Sequence, residues 1–204
     1  MDEKTRAERF HFEEDRKRFI VRRGILRTIL GGYLGVDPDQ VQFAYGKNEK
    51  PELADSFANG EIRFNLSHSG EVALYAFTRD REIGVDIEHI REISDMEQVS
   101  NRFFSLRENE VLHILSESKK REAFFNCWTR KEAYIKAIGD GLSCPLDSFD
   151  VSLVPGEPAR LQRIEGDSEA ALRWSIQDLE TENGFTAAFA VKGPIERVQY
   201  KQWT

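Results

Sequence analysis

What most constrains this chain is where its hydrophobic period changes. Over residues 15–33, Phe19, Ile20, Ile25, Leu26, Ile29, Leu30 and Tyr33 recur roughly at the i, i+3, i+4, i+7 spacing of an amphipathic helix, with Gly31-Gly32 and then Asp37-Pro38 expected to end it. From residue 41 the pattern alternates, predicting strands over 41–45, 62–66, 72–78 and 83–87, with Ser69-Gly70 as a hairpin turn. Helical spacing returns over 106–115 and 120–138, closed by Gly139 and Gly141. Strand patterns then follow over 149–154, 160–164, 173–179, 185–191 and 198–203. Helix then strands, followed by helices then strands, predicts an α/β (α+β) protein of two similarly built halves, residues 1–100 and 101–204.

Composition narrows the class. The 204 residues are 40% apolar and 32% charged, a mixture that excludes a disordered chain and can bury a core without disulfides. No stretch approaches the roughly 18 apolar residues of a membrane span, and the charged start Met1-Asp2-Glu3-Lys4 argues against a secretory signal. The two cysteines, Cys127 and Cys144, match no zinc spacing, so both thiols are expected to be free in a reducing cytoplasm. A net charge of −7 argues against nucleic-acid binding. Against that acidic background Arg16, Lys17, Arg18, Arg22, Arg23 and Arg27 cluster on the first helix, either as a solvated face or as an anion site.

Three short segments carry chemistry. In Ile83-Gly84-Val85-Asp86-Ile87-Glu88, strand alternation turns Val85 and Ile87 to a core and sets Asp86 and Glu88 on the opposite face, roughly 6–7 Å apart. Gly84 shares that face and is expected to leave it open for a hard cation such as Mg²⁺ and a phosphate; taken alone, a polar solvent-facing strand is the commoner reading. In Trp128-Thr129-Arg130-Lys131-Glu132-Ala133-Tyr134-Ile135-Lys136, Glu132 and Lys136 stand four apart on one helix face beside the aromatic stripe of Phe124 and Trp128. Such a pair is usually a surface salt bridge. In Phe64-Asn65-Leu66-Ser67-His68-Ser69-Gly70 a strand delivers His68 and two serines to a turn, where a histidine is more often structural and otherwise suits a phosphate. No G-x-S-x-G elbow, P-loop, H-E-x-x-H or EF-hand loop is present.

Together and in this order, these segments resemble the 4'-phosphopantetheinyl transferases of the Sfp type. The resemblance runs from the helix near Arg18 through Gly46-Lys47 and Lys50-Pro51, the three segments above, Phe103-Phe104-Ser105 and Gly139-Asp140-Gly141-Leu142 to Pro145-Leu146-Asp147-Ser148-Phe149, most of the chain. Its most specific part is the pairing of G-V-D-I-E with W-x-x-K-E-x-x-x-K. It implies two pseudo-symmetric halves, each a helix on a small antiparallel sheet, with the site in the cleft between them. It also implies transfer of the phosphopantetheine arm of coenzyme A to a serine of an acyl, aryl or peptidyl carrier protein, releasing adenosine 3',5'-bisphosphate. By motif match, Asp86, Glu88 and Glu132 would hold Mg²⁺. Glu132 would be the general base, directly or through a metal-bound water, and Lys136 would stabilise or protonate the leaving phosphate. Lys131 is a second phosphate contact, Ser67 and His68 match positions near the 3'-phosphate, Lys50 matches one near the nucleotide, and Arg18 matches a family arginine. Only Met1 to Asp15 precede the first helix, where the family usually carries some tens of residues, and Phe19 stands where some members carry a polar contact. A monomer follows from both halves lying in one chain. The rival readings are a non-catalytic coenzyme A or carrier-protein binding module and a Mg²⁺-dependent phosphohydrolase.

Overall fold

The computed structural model describes residues 3–46, 50–57, 62–167, 169–182 and 184–203, with Leu142 described through its main chain only. Lys47, part of the family resemblance, lies outside them. Two long helices organise the molecule. A short helix α1 (Glu3–Ala7) precedes α2 (Glu13–Leu34). Gly31 and Gly32 do not end α2 as expected. The terminator is Gly35, in the left-handed region at φ 69°, with its N–H on the carbonyl of Gly31. Gly31 serves a close approach instead: a Cβ there would lie 2.7 Å from the Val36 carbonyl oxygen, where the chain folds back.

Strands β1 (Phe43–Tyr45) and β2 (Pro51–Leu53) pair as a small antiparallel ribbon. β3 (Ile62–Ser69) and β4 (Val72–Arg79) form a hairpin, turned by Gly70 at φ 58°. Leu26 and Leu30 of α2 pack on Phe64 of β3 and on Val41, forming the first core. β5 (Ile83–His89) then enters a three-stranded antiparallel sheet, ordered β5, β9 (Phe185–Lys192), β8 (Trp174–Asp178). The strand that falls in the first half of the sequence is thus hydrogen-bonded to one from the second. α3 (Met96–Phe103) and α4 (Leu106–Ile114) follow, the latter started by a capping box between Ser105 and Glu108. α5 (Glu117–Ile138) ends at Gly139, at φ 80°. β6 (Phe149–Val151) pairs with β7 (Leu161–Ile164). The expected strand at 198–203 does not form. Its Val-Gln-Tyr-Lys-Gln-Trp alternation is satisfied by seating Val198 against the cluster of Ile83, Val85, Phe189 and Val191, while Tyr200 and Trp203 stay exposed.

The second core surrounds α5, with Phe124, Phe125, Tyr134, Ile135 and Phe149 in one cluster with Ala188 and Ala190. On the opposite sheet face, Val85 of β5 meets Phe189 and Val191 of β9. Small residues therefore floor the face under α5: Gly84 opposite Ala190, and Asp86 opposite Ala188. Gly84 shares a face with Asp86 as read, but it leaves no open space for a cation. A Cβ there would stand 2.1 Å from the Ala133 carbonyl oxygen and 2.4 Å from the Ala137 nitrogen, so the helix backbone itself fills the gap.

Candidate active site

The direct contact at Gly84 decides what α5 presents to β5. With the helix resting on the strand, Lys136 reaches the strand's Asp86, and Glu132, one turn before it, senses the charges of Asp86 and Glu88. Lys136 does not close a surface pair with Glu132. Its Nζ crosses to Asp86 Oδ1 at 2.6 Å and donates to Ser67 Oγ at 3.0 Å, and Ser67 in turn donates to the same Asp86 oxygen at 2.8 Å. Asp86 is buried, 4% exposed, and its second oxygen Oδ2 has no hydrogen-bond partner. An unpaired buried carboxylate oxygen is costly unless something arrives to meet it.

β3 supplies the other wall. It runs beside β5 and is joined to it by alternate side chains: Asn65 Oδ1 accepts from the Val85 N–H at 2.9 Å, and Ser69 donates to Glu88 Oε2 at 3.3 Å while accepting from the His89 N–H at 3.1 Å. One serine thus touches each acid.

Burial raises the pKa of Asp86, against the pull of Lys136 and of the Lys136 and Ser67 hydrogen bonds. Burial and then the Asp86 charge raise Glu88. Glu132 is raised by burial foremost and further by Asp86 and Glu88, while Lys136 opposes. Buried Asp86, with Glu88 lifted by the Asp86 charge and Glu132 lifted by both, forms a hard-oxygen donor set, which together with the orphaned Asp86 Oδ2 suits a hard divalent cation. Among the described residues no three such groups are drawn closely enough to form a metal site as they stand, so a cation would have to gather them.

Residues 82–190 match the model of the 4'-phosphopantetheinyl transferase superfamily, and residues 1–79 match that of the 4'-phosphopantetheinyl transferase N-terminal region. The chain is 48% identical over 192 residues to the 4'-phosphopantetheinyl transferase HetI of Nostoc sp. (strain PCC 7120), covering 94% of this chain and 78% of that protein. It is also 34% identical over 155 residues to the 4'-phosphopantetheinyl transferase Sfp of Bacillus subtilis, covering 74% of this chain and 65% of that protein. The chain belongs to the 4'-phosphopantetheinyl transferase superfamily.

Of the residues singled out by sequence in this superfamily member, Asp86, Glu88, Glu132, Lys136 and Ser67 share one neighbourhood. His68 stands at its edge. Although partly solvent-facing, its ring is desolvated enough to lower its pKa, and the charges of Arg22 and Lys136 lower it further. Arg18 lies at the hairpin tip, paired with Glu71 and within 3.7 Å of Glu14 and Asp15.

Two candidates are not placed as expected. Lys131 points inward, fully buried, with Nζ 2.6 Å from the carbonyls of Leu146 and Phe149 and 2.8 Å from Glu108. It has no path to a phosphate, because adjacent helix positions diverge by about 100° and Glu132 holds the outward one. Lys50 donates to the Lys136 carbonyl at 2.6 Å, with the Ile83 carbonyl 3.5 Å away, and so spends its charge on main chain. Arg22 was not selected by sequence beyond its membership of the basic cluster, yet it is the arginine whose charge acts on His68; its i+4 spacing from Arg18 was the available signal. Arg23 and Arg27 leave that cluster, because Glu3 of α1 takes both, at 2.9 and 2.6 Å.

Proposed function

We propose that this protein transfers the 4'-phosphopantetheine moiety of coenzyme A to a serine hydroxyl of an apo acyl or peptidyl carrier protein, giving holo carrier and adenosine 3',5'-bisphosphate. The observation that carries the reading is the Asp86–Lys136–Ser67 triangle with Glu88 and Glu132 beside it. It sets acids and a cation side by side at the junction of β3, β5 and α5, in a chain of this family.

In the reaction the serine oxygen forms a bond to the pantetheine-bearing phosphorus as that phosphorus parts from the adenylate phosphate. The serine proton must leave and the departing phosphate gains charge. Glu132 takes the proton: burial, with the charges of Asp86 and Glu88, raises its pKa and makes it a better base than an ordinary surface carboxylate. Lys136 offers its ammonium to the departing phosphate. Ser67 holds that ammonium against Asp86, so the charge is oriented before the ligand arrives. His68 and Arg22, with Arg18 beyond them, line the approach on the β3 side and suit the remaining phosphate charge.

The residues fit Mg²⁺ dependence: Asp86, Glu88 and Glu132 would hold the ion, which would supply charge neutralisation on the diphosphate. Acids from β5 and the base from α5 belong to one chain, which supports a monomer. Free Cys127 and Cys144 fit a cytoplasmic setting, and among the described residues no helix is long and apolar enough to cross a membrane. The net charge of −7 fits a role without nucleic acid.

The test is intact-protein mass spectrometry of an apo carrier protein incubated with this chain, coenzyme A and Mg²⁺, beside an EDTA control. A gain of one phosphopantetheine mass, lost with EDTA, is expected. No gain across several carriers with coenzyme A still bound would replace the reading with a binding module, and nucleotide release without carrier modification with a hydrolase.

A further inference from the structure

Lys50 stands immediately before β2, half-buried, and its side chain bonds residues far away in sequence. Its Nζ lies 2.6 Å from the main-chain oxygen of Lys136 and 3.5 Å from that of Ile83. The first oxygen belongs to the last turn of α5, where main-chain carbonyls lack helical partners and the helix dipole is negative; Gly139 N–H takes Ile135. The second belongs to the first residue of β5. A single ammonium therefore bonds the end of the helix that carries Glu132 and Lys136 and reaches toward the start of the strand that carries Asp86 and Glu88.

Further toward its N-terminus α5 is tied to the other strands of the sheet, by Arg130 on Asp178 of β8 and by Thr186 of β9 donating to Asn126, while at its C-terminal end the contact with β5 is the van der Waals approach of Ala133 and Ala137 to Gly84. A glycine floor resists approach of the helix but does not by itself set how far the helix slides along the strand. A directional hydrogen bond from a cation at the helix end does. We propose that Lys50 is a positioning residue for the transfer reaction, setting the axial register of α5 on β5 and thereby the Lys136–Asp86–Ser67 triangle, and that it is not a coenzyme A contact. The inference rests on the role given above to Lys136.

Other charges facing Lys50 are Glu52 and Glu82, which favour its ammonium, and Arg63, which opposes it; all three line with it a cavity of about 170 Å³. Glu52 lies 3.8 Å from Arg63 and Glu82 3.2 Å from Lys192, while the Lys50 ammonium lies 2.6 Å from the Lys136 carbonyl oxygen.

The experiment is steady-state transfer to an apo carrier by wild type, Lys50→Met, Lys50→Arg, Lys136→Ala and the Lys50→Met/Lys136→Ala double variant, with coenzyme A affinity by calorimetry. Lys50→Met is expected to lower kcat about tenfold, the scale of a small misplacement of reacting groups, with the KM and Kd for coenzyme A unchanged. Lys50→Arg, which keeps charge and donors, should restore most of kcat. In the Lys136→Ala background the Lys50 change should cost almost nothing further, because both act through one group. A raised Kd for coenzyme A with kcat intact would make Lys50 a ligand contact and overturn the proposal. A lowered melting temperature with wild-type kcat, or full additivity in the cycle, would overturn it as well. Should Lys50→Met not fold, Lys50→Gln, which keeps one donor, takes its place in the same cycle. Absence of transfer by wild type would instead strike the reaction assignment itself.

Discussion

At the scale of single residues, neighbours on one helix have opposite tasks. Lys131 and Glu132 are adjacent in sequence, yet the first is sealed in the interior against Glu108 while the second faces the acids of β5. Replacing Lys131 by Met leaves Glu108 buried without its counter-charge, so a stability loss of about 3–5 kcal/mol is expected by urea unfolding, with unchanged KM for coenzyme A in the folded fraction. Glu132→Gln should do the reverse. Transfer should fall about 100-fold or more as the base is lost, while the ligand-free protein gains stability, because burial and the charges of Asp86 and Glu88 raise the Glu132 pKa. The sign follows from linkage: a carboxyl whose pKa is higher in the folded state binds protons more tightly there, so stability falls as pH rises through the window between its ordinary and raised values. The melting temperature of Glu132→Gln should therefore exceed wild type at neutral pH, by about 2–4 °C for each kcal/mol relieved, and the gap should close in mild acid. A gap that does not depend on pH would refute the assigned cause.

At the scale of elements, the register of α5 on β5 is the feature on which the site depends. Gly84→Ala puts a methyl 2.1 Å from the Ala133 carbonyl, a main-chain atom that cannot swing aside. A loss of about 3 kcal/mol is expected from overpacking, and transfer should drop in the remaining folded protein, because the helix must retreat from Asp86. Wild-type transfer by a destabilised Gly84→Ala would show that the helix–strand distance does not matter. This same contact marks where sequence is and is not informative. Alternation put Asp86 and Glu88 on one face because strand geometry is local, and helical spacing over 106–115 placed α4 for the same reason. What fills the space over Gly84 is a long-range fact, and a glycine in a strand reads equally as an opening or as a close approach. Likewise Gly31-Gly32 looked like a helix stop because glycine is a poor helix former, whereas the fold needs Gly31 small to admit Val36, and tertiary packing overrode propensity. Strand β2 carries Pro51 at its start and α1 is only five residues long, both too short for any period to register. The inward turn of Lys131 had no sequence signal, since a Lys beside a Glu on an amphipathic helix ordinarily faces water.

At the scale of the whole molecule, an acidic protein must attract a polyanion. With 36 acidic against 29 basic residues, the mean field repels coenzyme A, and binding depends on keeping unneutralised cations in one place. The fold does this selectively. Glu3 absorbs Arg23 and Arg27, and Asp178 absorbs Arg130, so these charges are unavailable to a ligand. Arg22 and Lys136 act jointly on His68, and Arg18 is bound only to carboxylates that are themselves about half-exposed or more. The attraction is therefore local, short-ranged and opposed by the remaining charge, the condition under which salt screening matters most: the Debye length shrinks from about 10 Å at 0.1 M to about 3 Å at 1 M. Raising NaCl across that range should increase the KM for coenzyme A several-fold while leaving kcat nearly unchanged, because Lys136 sits in direct contact with the buried Asp86 carboxylate, a partly buried pair that is screened less than exposed charges. Arg22→Gln should flatten the salt dependence of KM more than Arg18→Gln, since Arg18 already carries carboxylate partners. Equal slopes for wild type and Arg22→Gln in steady-state assays at graded salt would remove Arg22 from the approach path and leave Lys136 and His68 as its charges.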